Sequence, residues 1–229
     1  RVETSGMAAE AGRVVKAGQA VRVATLLGVA VLDTPAKPER FVRELPQPSE
    51  INSGDLASTF DGGLEGWTRM PSRKDSGLSH QHVGGNPGGF LLISNIGPDT
   101  KLIAPPRYHG NLLPFDGGTI SFDARYIEAG DDEIRAAGFD FGLITVTGAG
   151  QTAMQQIATS PPTARWNTYR GSFTAAAFGV SPADWKAILA DVTGLTINLN
   201  AFRGVPNESS AFDNILLRPG SDNTRGTPA

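Results

Sequence analysis

Gly84-Gly85-Asn86-Pro87-Gly88-Gly89-Phe90-Leu91 is the stretch whose reading decides the fold. Four glycines and a proline run straight into the apolar Phe90-Leu91-Leu92-Ile93. Glycine takes φ > 0 without steric cost, and proline fixes φ and gives up a donor. Such a stretch is a shaped turn that delivers a strand. It has no Lys or Ser/Thr at phosphate-loop spacing and no helix signal after it, which excludes a nucleotide loop. Two roles stay open for the turn. It joins two strands and no more, or its backbone carbonyls and Asn86 shape a ligand or ion site.

Working outward, the chain from Ser58 onward reads as short strands cut by turns. Asp61-Gly62-Gly63 is a turn signal. Phe90–Asn95, Lys101–Ala104, Thr119–Ile127, Gly138–Thr147 and Arg165–Thr174 are strand candidates. Ile120, Phe122, Ala124 and Tyr126 alternate with Ser121, Asp123 and Arg125, the period of a strand with one buried face. A helix is expected over 182–193. Ser181 suits its N-cap, Pro182 its first position, and Asp184 completes a capping-box spacing. Trp185, Ile188, Leu189 and Val192 then share one apolar face, and Gly194 stops it. Leu195–Phe202 and Phe212–Leu217 are further strands, with a polar loop over Gly204–Ser210 between them. Strands at this spacing without a βαβ rhythm argue for an all-β, antiparallel sandwich.

The bulk numbers agree. The chain has 229 residues, 28 of them Gly and 16 Pro, with a formal net charge of -3. That length supports a real core, and the composition is that of a turn-rich β protein. No long Lys/Arg run marks a nucleic-acid partner. There is no cysteine, which excludes disulfides, thiolate metal sites and thiol catalysis.

The first 51 residues differ from the rest. Arg13, Lys16 and Arg22 precede the apolar run Val23–Leu32, with small residues after it. This is the layout of a secretory signal, and the run is too short to span a bilayer, which takes roughly 20 apolar residues. The same run also reads as a strand or helix docked on the domain. Pro38, Pro46 and Pro48 make the following stretch a linker. The expected organisation is therefore a signal-like or linker segment over 1–51, a β-sandwich domain over 52–217, and a polar tail over 218–229.

An ordered set of landmarks carries a resemblance. Phe60-Asp61-Gly62-Gly63-Leu64-Glu65-Gly66-Trp67, the Gly84-to-Leu91 turn, Ala104-Pro105-Pro106, Gly117-to-Asp123, Trp166-Asn167-Thr168-Tyr169, the Trp185 helix and Phe212-Asp213-Asn214-Ile215 follow one another as in the laminin domain IV type (laminin B) module. The chain resembles that family over about Ser58 to Leu217. The resemblance implies a jelly-roll β-sandwich of the galactose-binding type, akin to carbohydrate-binding modules, extracellular and non-catalytic. The lack of cysteine-rich flanking repeats points to a bacterial relative.

The resemblance also implies a structural Ca²⁺ between the first and last strands. Calcium takes six to eight hard oxygens, and Asp61, Asp213 and Asn214 are the expected ligands, with Glu65 a weaker one. His80-Gln81-His82 lacks a third ligand for a transition metal and reads as a solvated loop. Asp131-Asp132-Glu133 reads as a loop too, because a glycosidase needs two carboxylates held at a defined separation. No Gly-x-Ser-x-Gly elbow occurs. Trp67, Trp166 and Trp185 are expected in the core. Tyr108, His109, Arg125 and Tyr126 are the candidates for a surface ligand site. The function expected is a secreted or cell-surface module that recognises carbohydrate or an extracellular protein surface. A purely structural or adhesion domain is the alternative, and a glycoside hydrolase the least supported.

Overall fold

Apolar alternation and glycine-rich turns produce two stacked antiparallel sheets. The computed structural model describes residues 51–70, 76–128, 140–202 and 208–220. The signal-like segment, the acidic run at 131–133 and most of the tail lie outside the described residues. The strands are β1 (Leu56–Ser58), β2 (Thr68–Met70), β3 (Gly77–Gln81), β4 (Phe90–Ile96), β5 (Lys101–Ile103), β6 (Gly118–Glu128), β7 (Leu143–Gly148), β8 (Gln151–Gln156), β9 (Asn167–Phe173), β10 (Val192–Asn198) and β11 (Glu208–Arg218). One helix, α1, spans Pro182–Ala190.

The first sheet runs β3-β4-β11-β6-β9, and β1 also pairs with β11. Because β6 pairs along the length of β11, β4 at 208–212 and β1 at 215–217 share the other edge. The second sheet runs β2-β5-β10-β7-β8. This is the jelly-roll sandwich expected from the sequence. Ile120, Phe122, Ala124 and Tyr126 all face the core, as their spacing predicts. At its centre Phe122 meets Phe141, Tyr169 and Phe212, with ring centroids 5.7, 5.3 and 5.6 Å away. Edge and offset contacts at these distances add to the burial of the rings.

The α1 cap forms as its residues dictate. The Ser181 hydroxyl accepts the Asp184 N–H at 3.1 Å and donates to the Asp184 carboxylate at 2.6 Å. Trp185, Ile188 and Leu189 are buried. The helix is shorter than the expected 182–193, because Val192 already belongs to β10 and pairs with Gly148. Gly194 lies inside that strand, at a register shift, and does not stop the helix. Glu208–Ser210, expected as loop, begins β11. The Glu208 carboxylate holds the chain there by accepting the Ala201 and Phe202 N–H groups at 2.7 and 3.3 Å.

Trp67 and Trp185 are core residues, each 1% exposed. Trp67 packs 5.3 Å from Tyr108 and donates to the Ser58 hydroxyl at 2.8 Å. Trp166 departs from expectation. It is half-buried, in the loop before β9, and donates its Nε1–H to the Gly84 carbonyl at 3.2 Å.

Candidate functional site

The glycine-rich turn joins β3 to β4 and folds over the outward face of the first sheet. Its tip is the cis peptide Asn86-Pro87. Glycine is required where the turn meets the acids below it. A Cβ on Gly88, at φ +85°, would fall 1.9 Å from Asp61 Oδ1, and one on Gly85 would meet the Gly89 carbonyl at 2.2 Å.

Beneath the turn, carboxylates and amides tie together. The Asn86 backbone N–H donates to Asp213 Oδ2 at 2.5 Å, and its side-chain amide donates to Asp123 Oδ2 at 3.1 Å. The Asn214 amide donates to the Asn86 carbonyl and, at 2.8 Å, to Asp123 Oδ2. Thr168 donates to Asp123 Oδ1 at 2.6 Å, and the Asn214 N–H to Asp213 Oδ1 at 2.7 Å. Asp61 sits exposed at the rim and accepts from Gly89 N at 3.3 Å and Thr59 at 3.1 Å. Burial, with the charges of Asp123 and Asp61, pushes the Asp213 carboxyl up to about 7, against its N–H bonds.

Asp61, Asp213 and Asn214 are thus gathered around one turn, with Asp123 as a member the sequence reading omitted. Its place in an alternating strand gave no hint that a loop would cover it. Calcium needs hard oxygens on every side. Here both Asp213 oxygens accept N–H groups, and Asn214 turns its amide N–H toward the Asn86 carbonyl and Asp123. Among the described residues no group of three or more His, Asp or Glu side chains is disposed to hold a metal ion. Glu65 is engaged elsewhere, accepting from Phe60 N at 2.6 Å and pairing with Arg107 at 2.6 Å. His80, expected in a solvated loop, lies in β3 with its Nε2 2.6 Å from the Phe60 carbonyl, and its ring meets His82 at 4.6 Å.

The four expected ligand residues do not form one site. Tyr108 is 1% exposed, not a surface residue. Its hydroxyl bonds Ser58 at 3.0 Å and the Ile215 carbonyl at 3.1 Å, and burial raises its pKa. His109 follows it, with a buried Nε2 that has no partner among the described residues. Tyr126 is buried as well, edge-on to Phe202 at 5.0 Å. Both tyrosines were drawn inward because their rings gain more from the core than their hydroxyls lose. Arg125 and Tyr126 are neighbours in β6 and point to opposite faces. Of the four, Arg125 alone stands on the outward face, half-buried, with its guanidinium 5.4 Å from the Phe90 ring centroid and 5.1 Å from that of Trp166.

Beside this stack, the loop between β8 and β9 leaves a cleft of about 420 Å³ along β9. Thr159, Ser160, Thr163, Asn167, Thr168 and Arg170 supply its polar lining, and Ile157 and Pro161 part of its apolar lining. Tyr169 also borders it, with its hydroxyl pushed up to about 12 by burial. The sequence reading missed the cleft. The available signal was Pro161-Pro162 amid Ser and Thr, which marks a shaped loop but not a cavity.

The sequence matches no family model and no curated protein. The fold is similar to that of solved structures. The L4b domain of human laminin alpha-2 superposes with a TM-score of 0.51 at 14% identity, covering 71% of this chain and 97% of that one. The C-terminal family 22 carbohydrate-binding module of Clostridium thermocellum Xyn10B gives 0.46 at 16% identity, over 76% and 98% of the two chains. A xylan-binding domain of Paenibacillus barcinonensis Xyn10C gives 0.42 at 14%, over 74% and 99%. The laminin likeness bears out the jelly-roll architecture, and at this identity it speaks for the fold alone.

Proposed function

We propose that this chain is a non-catalytic carbohydrate-binding module of an extracellular or cell-surface setting. The cleft along β9 carries the reading. Its volume falls in the roughly 300–1,000 Å³ range of ligand pockets, but such pockets are mostly apolar and this one is rimmed by hydroxyl, amide and guanidinium groups. A hydroxyl-rich ligand answers that lining. The buried carboxylates do not suit hydrolysis, because Asp123 and Asp213 lie under the turn with their oxygens occupied by N–H and hydroxyl donors. Among the described residues no helix is long and apolar enough to cross a membrane.

A glycan panel probed with the full chain tests the proposal. Reproducible binding to one sugar class is expected, abolished by Ser160→Trp, which fills the cleft, and weakened by Arg170→Ala. Binding that survives the filled cleft, or silence across the panel, removes the reading. Adhesion to a protein surface is the second reading, and one observation favours it. The outward face of the second sheet exposes Met70 and Met154, at 50% and 54%.

Calcium is a separate proposal. A cation would offset the mutual repulsion of Asp61, Asp123 and Asp213, at the cost of displacing N–H bonds from Asp213. An ion bound only by the folded state raises the melting temperature. A melt that is the same in millimolar calcium and in EDTA removes the proposal.

A further inference from the structure

We infer that the saccharide bound on this face carries a carboxylate, as in a uronic-acid polysaccharide, and that Arg125 receives it. The inference rests on the carbohydrate reading above. The Arg125 guanidinium packs against the rings of Phe90 and Trp166, which meet each other edge-on at 5.8 Å. Gly84 closes another side, so near that a Cβ there would sit 3.8 Å from Nη2. The Trp166 ring is itself fixed by the Gly84 carbonyl. Arg125 Nε is buried without a hydrogen-bond partner, and among the described residues the ion pairs are Arg107–Glu65 and Arg218–Asp55. Asp123, two residues away on the same strand face, is taken up by Thr168, Asn86 and Asn214. The fork is therefore positioned by ring faces rather than by an acid.

That arrangement suits carboxylate recognition. A planar guanidinium binds a carboxylate through two parallel N–H bonds, and stacking on aromatic rings orders it before the ligand arrives. The surroundings add charge of the same sign. Arg165 and Arg170 are exposed on the segment that borders the cleft, neither side chain is ion-paired among the described residues, and the cleft lining contains no acid. The chain as a whole carries -3. Arg170 lines the cleft, with Arg165 and Arg125 on neighbouring segments, while the nearby Asp123 is already engaged by Thr168, Asn86 and Asn214. These guanidiniums, without ion pairs among the described residues, attract an anion and are of no use to a neutral sugar.

The test compares two ligands on the unmodified full chain. One is a set of oligogalacturonate and glucuronate-bearing oligosaccharides. The other is the same set with the carboxyl groups reduced to alcohols. The charged forms are expected to bind about tenfold more tightly, the worth of one charge-assisted contact. The preference should shrink as salt is raised. Arg125→Gln should abolish the preference while leaving residual binding of the reduced forms, and Arg125→Lys should restore only part of it, because a point charge lacks the fork. Equal affinity for both forms overturns the inference and leaves the carbohydrate reading standing. So does a preference that Arg125→Gln retains. No binding of either form overturns the inference, and the glycan panel then decides the broader reading.

Discussion

Asp213, Asp123 and Thr168 lie in one row across the first sheet, and Thr68, Ile103, Thr196, Thr145 and Met154 lie in one row across the second. Both rows face away from the shared core. In the first, Asp213 is fully buried and Asp123 4% exposed beneath the glycine-rich turn, and only Thr168 at the sheet edge is exposed. The second is open, with Met154 half exposed. The acids follow the same division. The strands of the second sheet contain no Asp or Glu, whereas β6 and β11 contain Asp123, Glu128, Glu208 and Asp213. Burying a carboxylate costs free energy unless donors meet it. Asp123, Glu208 and Asp213 therefore sit where neighbouring chain supplies donors, and the open sheet uses threonine and methionine.

The sharpest way to break this contrast is to place a methyl group on each side of it. Gly85→Ala drives a Cβ into backbone and is expected to cost about 3 kcal/mol or to prevent folding. Gly194→Ala, in β10 of the open sheet, meets nothing within 4 Å and should change stability by less than about 0.5 kcal/mol. Equal urea midpoints for the two variants would mean that the turn is not seated on the sheet.

Removing polar groups should show a smaller difference of the same sign. Asp123→Ala leaves the Asn86 and Asn214 amides and the Thr168 hydroxyl short of an acceptor, a loss of about 2 kcal/mol. Thr145→Ala on the open face should stay within about 0.5 kcal/mol. Thermal melts of the pair decide it, and an Asp123→Ala variant as stable as the parent would sink the account of the knot.

The contrast also shows in pH. Burial pushes the Glu208 carboxyl up to about 7 from its ordinary 4.5, although the Ala201 and Phe202 N–H groups pull it down. The folded state then holds a proton that the unfolded chain releases, so stability from this group is complete below about 4.5 and is lost as pH rises to about 7. Denaturation midpoints should fall over that window, and Glu208→Gln should reduce the fall and leave the share of Asp213, whose carboxyl is also pushed up to about 7. A slope unchanged in the variant would assign the effect to another acid.

Much of the sandwich was legible in the sequence because its strongest strands alternate. β6 shows two clean faces, and the Ser181-Pro182 cap announces α1. β8 was not legible, since Gln151-Thr152-Ala153-Met154-Gln155-Gln156 turns only the small Ala153 inward. The end of α1 was misplaced because Val192 fits a helix face as well as a strand, and pairing with Gly148 decides between them. The site was less legible than the fold. Arg125 was found by its residue type, but its partners Phe90, Gly84 and Trp166 come from three separate stretches. Tyr108 and Tyr126 were misassigned to the surface, because an amphipathic ring carries no sequence mark of which end wins.

β11 lies at the centre of the first sheet, between β6 on one edge and β4 and β1 on the other, yet it is the last of the described strands. The order of synthesis is thus opposed to the order of assembly. While the chain is being made, β1, β4 and β6 must wait with unpaired edges until residues 208–218 emerge. Long-range pairing of this kind is slow and leaves strands open to wrong partners. A chain cut short before Glu208 would lose the middle of its sheet rather than its rim, and the product would be the pairs β3-β4 and β6-β9 and a lone β1, with nothing to join them.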